Sequence, residues 1–135
     1  MKYLFDSSAI FRAIKENRIE ALAGNHTLEL ARYEIGNILW KNCALLGKTT
    51  REELSDLTRL VKEILDVMDI IQIGCTEEEI AGVAAEMKIT FYDASYAYQA
   101  HKNRVTLITE DADLLKKVVK YVNAEGLDKV PIETD

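Results

Sequence analysis

The sequence predicts an α/β fold, a mainly parallel central sheet flanked by helices on both faces. Three observations lead there. Short runs of β-formers alternate with stretches of helical periodicity. No hairpin turn signal joins any two of those runs, so the strands return by crossover helices and lie parallel. The chain has 135 residues with one proline, Pro131, no Ser/Gly linker and no internal repeat. Residues 1–135 therefore read as a single domain, long enough to bury a core without staples.

The elements follow in order. "KYLF" is the first strand. "SSAIFRAIKENRIEALAG" carries apolar pairs at helical spacing and predicts a helix stopping at Gly24. "HTLEL" predicts a very short strand. A long helix is expected from Leu30 to Leu46, with Gly47 at its C′ position. Thr50 and Glu53 form a capping box for the next helix, whose seam is Leu54, Leu57, Val61, Ile64 and Met68. That seam reads as core, with a dimer surface or partner groove as the other possibilities. "DIIQI" is a further strand, and Thr76 with Glu79 predicts a second capping box. Ile80, Val83, Ala84 and Met87 follow at helical spacing. A helix from Asp93 to Lys102, the strand "RVTLIT" and a last helix with Leu114, Leu115, Val118 and Val119 on one face complete the pattern.

Composition excludes several classes. No apolar run approaches the ~18–20 residues that span a bilayer, and the first residues lack a signal-peptide pattern. Cys43 and Cys75 lack metal-type spacing and read as buried thiols in a reducing cytosol, so a cytoplasmic protein is expected. A net charge of −6 argues against coating nucleic acid by bulk attraction. It leaves room for an enzyme that acts on nucleic acid through a metal, or for a partner with a basic segment. There is no P-loop, dinucleotide loop or Gly-x-Ser-x-Gly elbow. His26 and His101 are not spaced as a metal pair and read as surface residues.

The acids are the informative residues. In an open parallel sheet, ligands bind outside the carboxyl ends of the strands. Asp6 ends the first strand in "YLFDSSA", where it also suits a helix N-cap. "TLITEDADLL" places Glu110, Asp111 and Asp113 at the mouth of another strand. The helix macrodipole favours one or two acids there, at ~0.3–1 kcal/mol each, and a third adds repulsion. Glu34 lies on the core-facing side of its helix, between Ala31 and Ile38, with Asn37 a polar neighbour on the same side. Asp93 opens a helix directly after two aromatics. Four converging carboxylates without a Lys or Arg partner would repel one another. A hard divalent cation relieves that repulsion, and oxygen-only ligands with room for water select Mg²⁺ or Mn²⁺.

The motifs "YLFDSSAI", "ARYEIGNIL", "TFYDASYAYQAH" and "LITEDADLL" occur in the order and spacing of PIN domains. Across essentially its whole length the chain resembles the small PIN ribonuclease toxins of VapBC toxin–antitoxin pairs. The resemblance implies a three-layer fold and a Mg²⁺- or Mn²⁺-dependent endonuclease acting on RNA. It implies a catalytic quartet of Asp6, Glu34, Asp93 and Asp111. Asp113 matches a further acid, and Ser8 and Thr109 match small hydroxyl positions that hold carboxylates or waters. Asp6, Asp93 and Asp111, with Asp113, would hold the metal, while Glu34 orients or deprotonates the attacking water. Glu110 is left as a solvated helix-start acid, and no weight falls on Arg12. The implied partners are RNA, an antitoxin with a basic segment and a second copy of the chain.

Lys15, Arg32, Lys102 and Arg104 are the cations expected to guide an RNA backbone. Two rival readings use the same acids. One is a binding module whose acidic pocket receives a basic side chain from a partner. The other is a metal-dependent DNA nuclease or phosphatase.

Overall fold

The structure, a computed structural model, describes residues 2–131. Five strands form one sheet: β1 (Tyr3–Phe5), β2 (His26–Leu28), β3 (Asp69–Ile71), β4 (Thr106–Ile108) and β5 (Ala124–Glu125). Their order is β3-β2-β1-β4-β5 and every pair is parallel. At the centre, Tyr3, Leu4 and Phe5 lie opposite Thr106, Leu107 and Ile108. β5 was not expected. It has two residues and no apolar run, so periodicity carries no trace of it.

Among the described residues six α-helices cover the sheet: α1 (Ser7–Lys15), α2 (Leu30–Trp40), α3 (Arg51–Val67), α4 (Glu77–Met87), α5 (Phe91–Lys102) and α6 (Ala112–Val118). Alternation along the strands splits the apolar residues into two cores. Phe5 and Ile108 pack with Ala9, Ile10, Ile35 and Ile64 from the first three helices. Leu4 and Leu107 pack with Tyr96, Ala97, Leu114 and Val118 from α5 and α6, and α4 lies against α5. The result is the expected three layers. From β1 the chain moves outward to β2 and β3, then crosses back to β4 on the other side of β1. The direction of winding thus reverses between β1 and β4, where α/β sheets open a crevice.

The seam of α3 is internal. Val61, Ile64 and Met68 are buried, and Leu54 and Leu57 pack on the same core. The Thr50–Glu53 capping box forms in both directions. After Trp40 the helix continues as a π-helical turn, Lys41–Leu45, and Gly47 follows at φ +61°.

Several local expectations fail for visible reasons. The first helix stops at Lys15 and not at Gly24. Asn17 takes the left-handed conformation at φ +53°, and the amides of Arg18 and Asn17 bond the carbonyls of Ala13 and Ile14, a Schellman closure. The second capping box is absent. The Thr76 hydroxyl instead donates to the Ile73 carbonyl at 2.5 Å and accepts from Gln99 Nε2 at 3.2 Å. Neither cysteine is buried: Cys43 is half-buried and Cys75 is exposed in the turn after β3. His26 is largely covered because β2 is an interior strand, whereas His101 is exposed and stacks on Tyr121 at 4.4 Å between ring centroids.

Candidate active site

Asp6 leaves β1 at the reversal point. Its amide donates to the Ile108 carbonyl at 3.0 Å, tying the strand end to β4. Its side chain caps α1, accepting from the Ala9 amide at 3.0 Å and from the Ser8 hydroxyl at 2.6 Å. The residue is 5% exposed. Burial pushes its carboxyl up to about 6, against the hydrogen bonds from Ser8, Thr109 and Ala9, while the charge of Asp93 adds to the rise.

Asp111 follows β4 and caps α6. Its Oδ1 accepts from the amides of Asp113 at 3.0 Å and Leu114 at 3.1 Å. Thr109 Oγ1 accepts from the Asp111 amide at 3.1 Å, and Ser8 Oγ accepts from the Glu110 amide at 2.9 Å. The two hydroxyls are 3.4 Å apart, so Ser8 and Thr109 join the ends of β1 and β4. Asp111 and Asp113 are both exposed.

Asp93 and Glu34 come from opposite layers. The helix carrying Asp93 begins two residues earlier than expected. Thr90 is its cap, accepting from the Asp93 amide at 3.0 Å, and Asp93 sits a turn inside. Burial raises the Asp93 carboxyl above its ordinary range, and the charge of Asp111 raises it further. Glu34 turns inward from α2, where its Oε1 accepts a 2.7 Å hydrogen bond from the hydroxyl of Tyr96 on α5. Burial, then the charges of Glu34 and Asp6, raise the phenol's pKa. Asn37 is exposed, and its side chain has no hydrogen-bond partner among the described residues.

The structure thus brings Asp93 within electrostatic reach of both Asp6 and Asp111, and Tyr96 links Glu34 to Asp6. Among the described residues, none of these four acids, nor Asp113, has an ion-pair partner. Sequence reasoning missed Tyr96. The available signal was its place one turn after Asp93, which puts both on one helix face.

A family model described as PIN domain matches residues 3–120. The chain belongs to the PIN-domain family. Over 129 residues this PIN domain is 35% identical to "Exonuclease VapC9" of Pyrobaculum aerophilum, covering 94% of this chain and 93% of that protein. It is 30% identical over 125 residues to "Ribonuclease VapC3" of the same organism, covering 87% and 95%. Among solved structures it resembles PAE2754 from Pyrobaculum aerophilum, with a TM-score of 0.80 and 30% identity over 95% of this chain and 90% of that one. VapBC2 from Rickettsia felis, bound to a promoter DNA fragment, shares the fold at a TM-score of 0.66 and 17% identity, with 93% and 98% covered. These relatives make the chain a VapC-like PIN domain.

The acids of this PIN domain offer only oxygen donors, the type that hard divalent cations take. Among the described residues, no three His, Cys, Asp or Glu side chains converge into a ready cage. Mg²⁺ does not need one. It keeps several waters and commonly takes one or two carboxylates plus substrate phosphate oxygens. Asp6, Asp93 and Asp111 supply unpaired carboxylates of that type.

The cations of this PIN domain fall elsewhere than expected. α5 has 12 residues and is about 18 Å long, so Lys102 and then Arg104 lie toward the amino edge of the sheet, away from the acids. Lys15 ends α1, which also runs away from the site, and lies over the Phe11 ring. Arg32 is bonded to Glu29 at 2.7 Å. Lys117 on α6 is the cation whose charge reaches Asp93, lowering its pKa, and its Nζ donates to the Lys88 carbonyl at 3.3 Å.

Glu110 is not a solvated acid, and Arg12 is not idle. Arg12 pairs with Glu110, and with Glu16 at 2.7 Å and Asp128 at 2.9 Å. Glu110 Oε2 accepts from the buried Leu127 amide at 2.8 Å. A side chain at Gly126 would meet that carboxylate at 3.2 Å. The clasp fastens α1, the turn after β4 and the segment after β5 beside Asp111.

Proposed function

We propose that this PIN domain is a Mg²⁺- or Mn²⁺-dependent endoribonuclease, the toxin of a toxin–antitoxin pair. The observation that carries this is the set of carboxylates Asp6, Asp93 and Asp111, with Asp93 repelled by both others and none of the three in an ion pair among the described residues, beside a Glu34 braced by Tyr96. Asp6, Asp93 and Asp111 would hold the cation, with Asp113 at the rim. Ser8 and Thr109 keep Asp6 and the β4 turn in place, and Asn37 lines the approach to Glu34. When bound, the cation supplies charge neutralisation at the scissile phosphate and a more acidic water. Glu34 orients the attacking water and takes its proton. The hydrogen bond from Tyr96 fixes which carboxylate oxygen remains free to do so.

RNA is the proposed substrate, and "Ribonuclease VapC3" supports that choice. "Exonuclease VapC9" raises the question of end dependence. The test is cleavage of linear and circular single-stranded RNA by refolded protein with Mg²⁺, Mn²⁺ or chelator, beside Asp93→Asn prepared identically. Metal-dependent cutting of the circle that Asp93→Asn abolishes supports the reading. Cutting restricted to linear strands, or to DNA, overturns its endonuclease or RNA component.

A second reading rests on the same unpaired acids. A basic side chain from an antitoxin would fill the pocket and inhibit the enzyme. Trp40, Leu45 and Leu46, all about half exposed or more, give such a partner or a second copy of the chain an apolar surface. A cytoplasmic location accords with this function. Among the described residues no helix is long and apolar enough to cross a membrane.

A further inference from the structure

We infer that the cleft in front of Phe91 and Tyr92 holds one unpaired nucleobase of the RNA, next to the phosphate that is cut. The inference rests on the nuclease reading above. The cleft has a volume of about 190 Å³ and lies where the ends of β2 and β3 meet the start of α5. Leu28, Ile71 and Ile73 form its apolar wall, and Gln72 lies at its rim. Phe91 is 38% exposed and Tyr92 60% exposed, although large rings are usually covered.

Three features favour a base as occupant. The first is position. Tyr92 immediately precedes Asp93, and the cleft lies along the same carboxyl edge as Asp6. Adjacent strands are about 4.8 Å apart, so the ends of β2 and β3 lie roughly 5 and 10 Å from that of β1. The second is shape. The space accepts a flat ring, whereas a helix about 10 Å across does not fit. The third is chemistry. Single-stranded RNA is gripped by stacking unpaired bases on aromatic side chains, and the interaction tolerates any base. The uncharged base face enters the apolar cleft, while Gln72 offers both donor and acceptor to its edge. Lys117, whose charge reaches Asp93, is the cation available to the backbone beside the acids.

The test compares wild type, Phe91→Leu and Tyr92→Leu on short single-stranded RNA cleaved at one position, with an abasic residue scanned on either side. Leucine keeps the apolar bulk and removes the ring. For wild type, one abasic position should lower kcat/KM at least about fivefold. Tyr92→Leu should lower it similarly on intact RNA, and on the abasic strand it should add little further loss. Equal kcat/KM for wild type and both variants, or fully additive losses, overturns the inference while leaving the nuclease reading intact. If wild type cuts nothing, the nuclease reading fails, and anisotropy with the same labelled RNA decides the cleft. Weaker binding by Tyr92→Leu and by the abasic strand supports it, and equal binding overturns it. Should Tyr92→Leu change only sedimentation, the cleft seats a second copy of the chain and the base is excluded.

Discussion

Tyr96 and Glu34 join across the sheet. Tyr96 rises from the layer of α4 to α6, Glu34 from the layer of α1 to α3, and the phenol donates to the carboxylate at 2.7 Å above the strand ends. Tyr96 is 1% exposed, so one face of Glu34 is shielded from water. The bond positions a carboxylate that would otherwise swing with its helix.

Tyr96→Phe removes that donor and keeps the ring. Cleavage should fall roughly 10- to 100-fold in kcat, the usual cost of losing a group that orients a reacting one, with KM little changed. Thermal unfolding should show a loss of about 1–2 kcal/mol. Unchanged kcat would remove Tyr96 from the site.

Asp6 sets a pH dependence whose sign can be worked out. Its carboxyl is raised from 3.8 to about 6 in the folded protein. Between those values the folded state binds more protons than the unfolded state, so stability falls as pH rises through the window and stays lower above it. Asp6→Asn keeps the cap and removes the charge. In chelator it should stabilise the protein at pH 7.5 by up to about 2–3 kcal/mol, and the gain should vanish near pH 4. Melting curves at both pH values test this. Metal-dependent cleavage by wild type should decline as pH falls through about 6, as protons compete for the same oxygens.

Asp111 combines a cap with a site role, and two substitutions separate them. Asp111→Asn retains an acceptor for the Asp113 and Leu114 amides, whereas Asp111→Ala does not. Alanine should cost about 1 kcal/mol and asparagine much less. Both should lose cleavage by tenfold or more in a direct assay. Full activity in the asparagine variant would confine Asp111 to helix capping.

Lys117 should matter for RNA where Lys102 and Arg104 do not. Lys117→Ala should weaken binding across RNA sequences and reduce the slope of log affinity against log salt by about 1. Alanine at Lys102 or Arg104, toward the opposite edge, should leave both unchanged. Anisotropy at several salt concentrations measures this.

Glu110→Ala should act on the fold. The change strands the Leu127 amide and leaves Arg12 with Glu16 and Asp128 alone. Melting should drop by a few degrees with or without divalent metal. A chelator-insensitive drop identifies a clasp. A drop seen only with metal would make Glu110 a ligand.

The central strands and the α2–α3 hairpin were legible because each lies in a strong local pattern, and the four candidate acids drew notice by position. Glu34 stood out as a charge inside an apolar stripe, and Asp6 and Asp111 as acids ending strands. What stayed hidden depends on contacts distant in sequence. Arg12 and Glu110 are 98 residues apart, and Tyr96 and Glu34 are 62 apart. Nothing in the neighbourhood of either residue announces its partner. Thr76 looked like a cap because its spacing to Glu79 was right, but Gln99 and the Ile73 carbonyl took its hydroxyl. The rim cations were misjudged because helix direction, which decides the edge that Lys102 faces, follows from topology and not from charge.

The register of β1 against β4 sets a clock during synthesis. Residues 3–5 leave the ribosome well before their partner at residues 106–108, which is made some hundred residues later. At ordinary elongation rates that interval is roughly 5–20 s. β2 and β3 can associate in the meantime, but Asp6 has neither the Ile108 carbonyl nor Asp93 and Asp111 beside it. On the proposed nuclease function, the nascent chain would lack its site until β4 has docked.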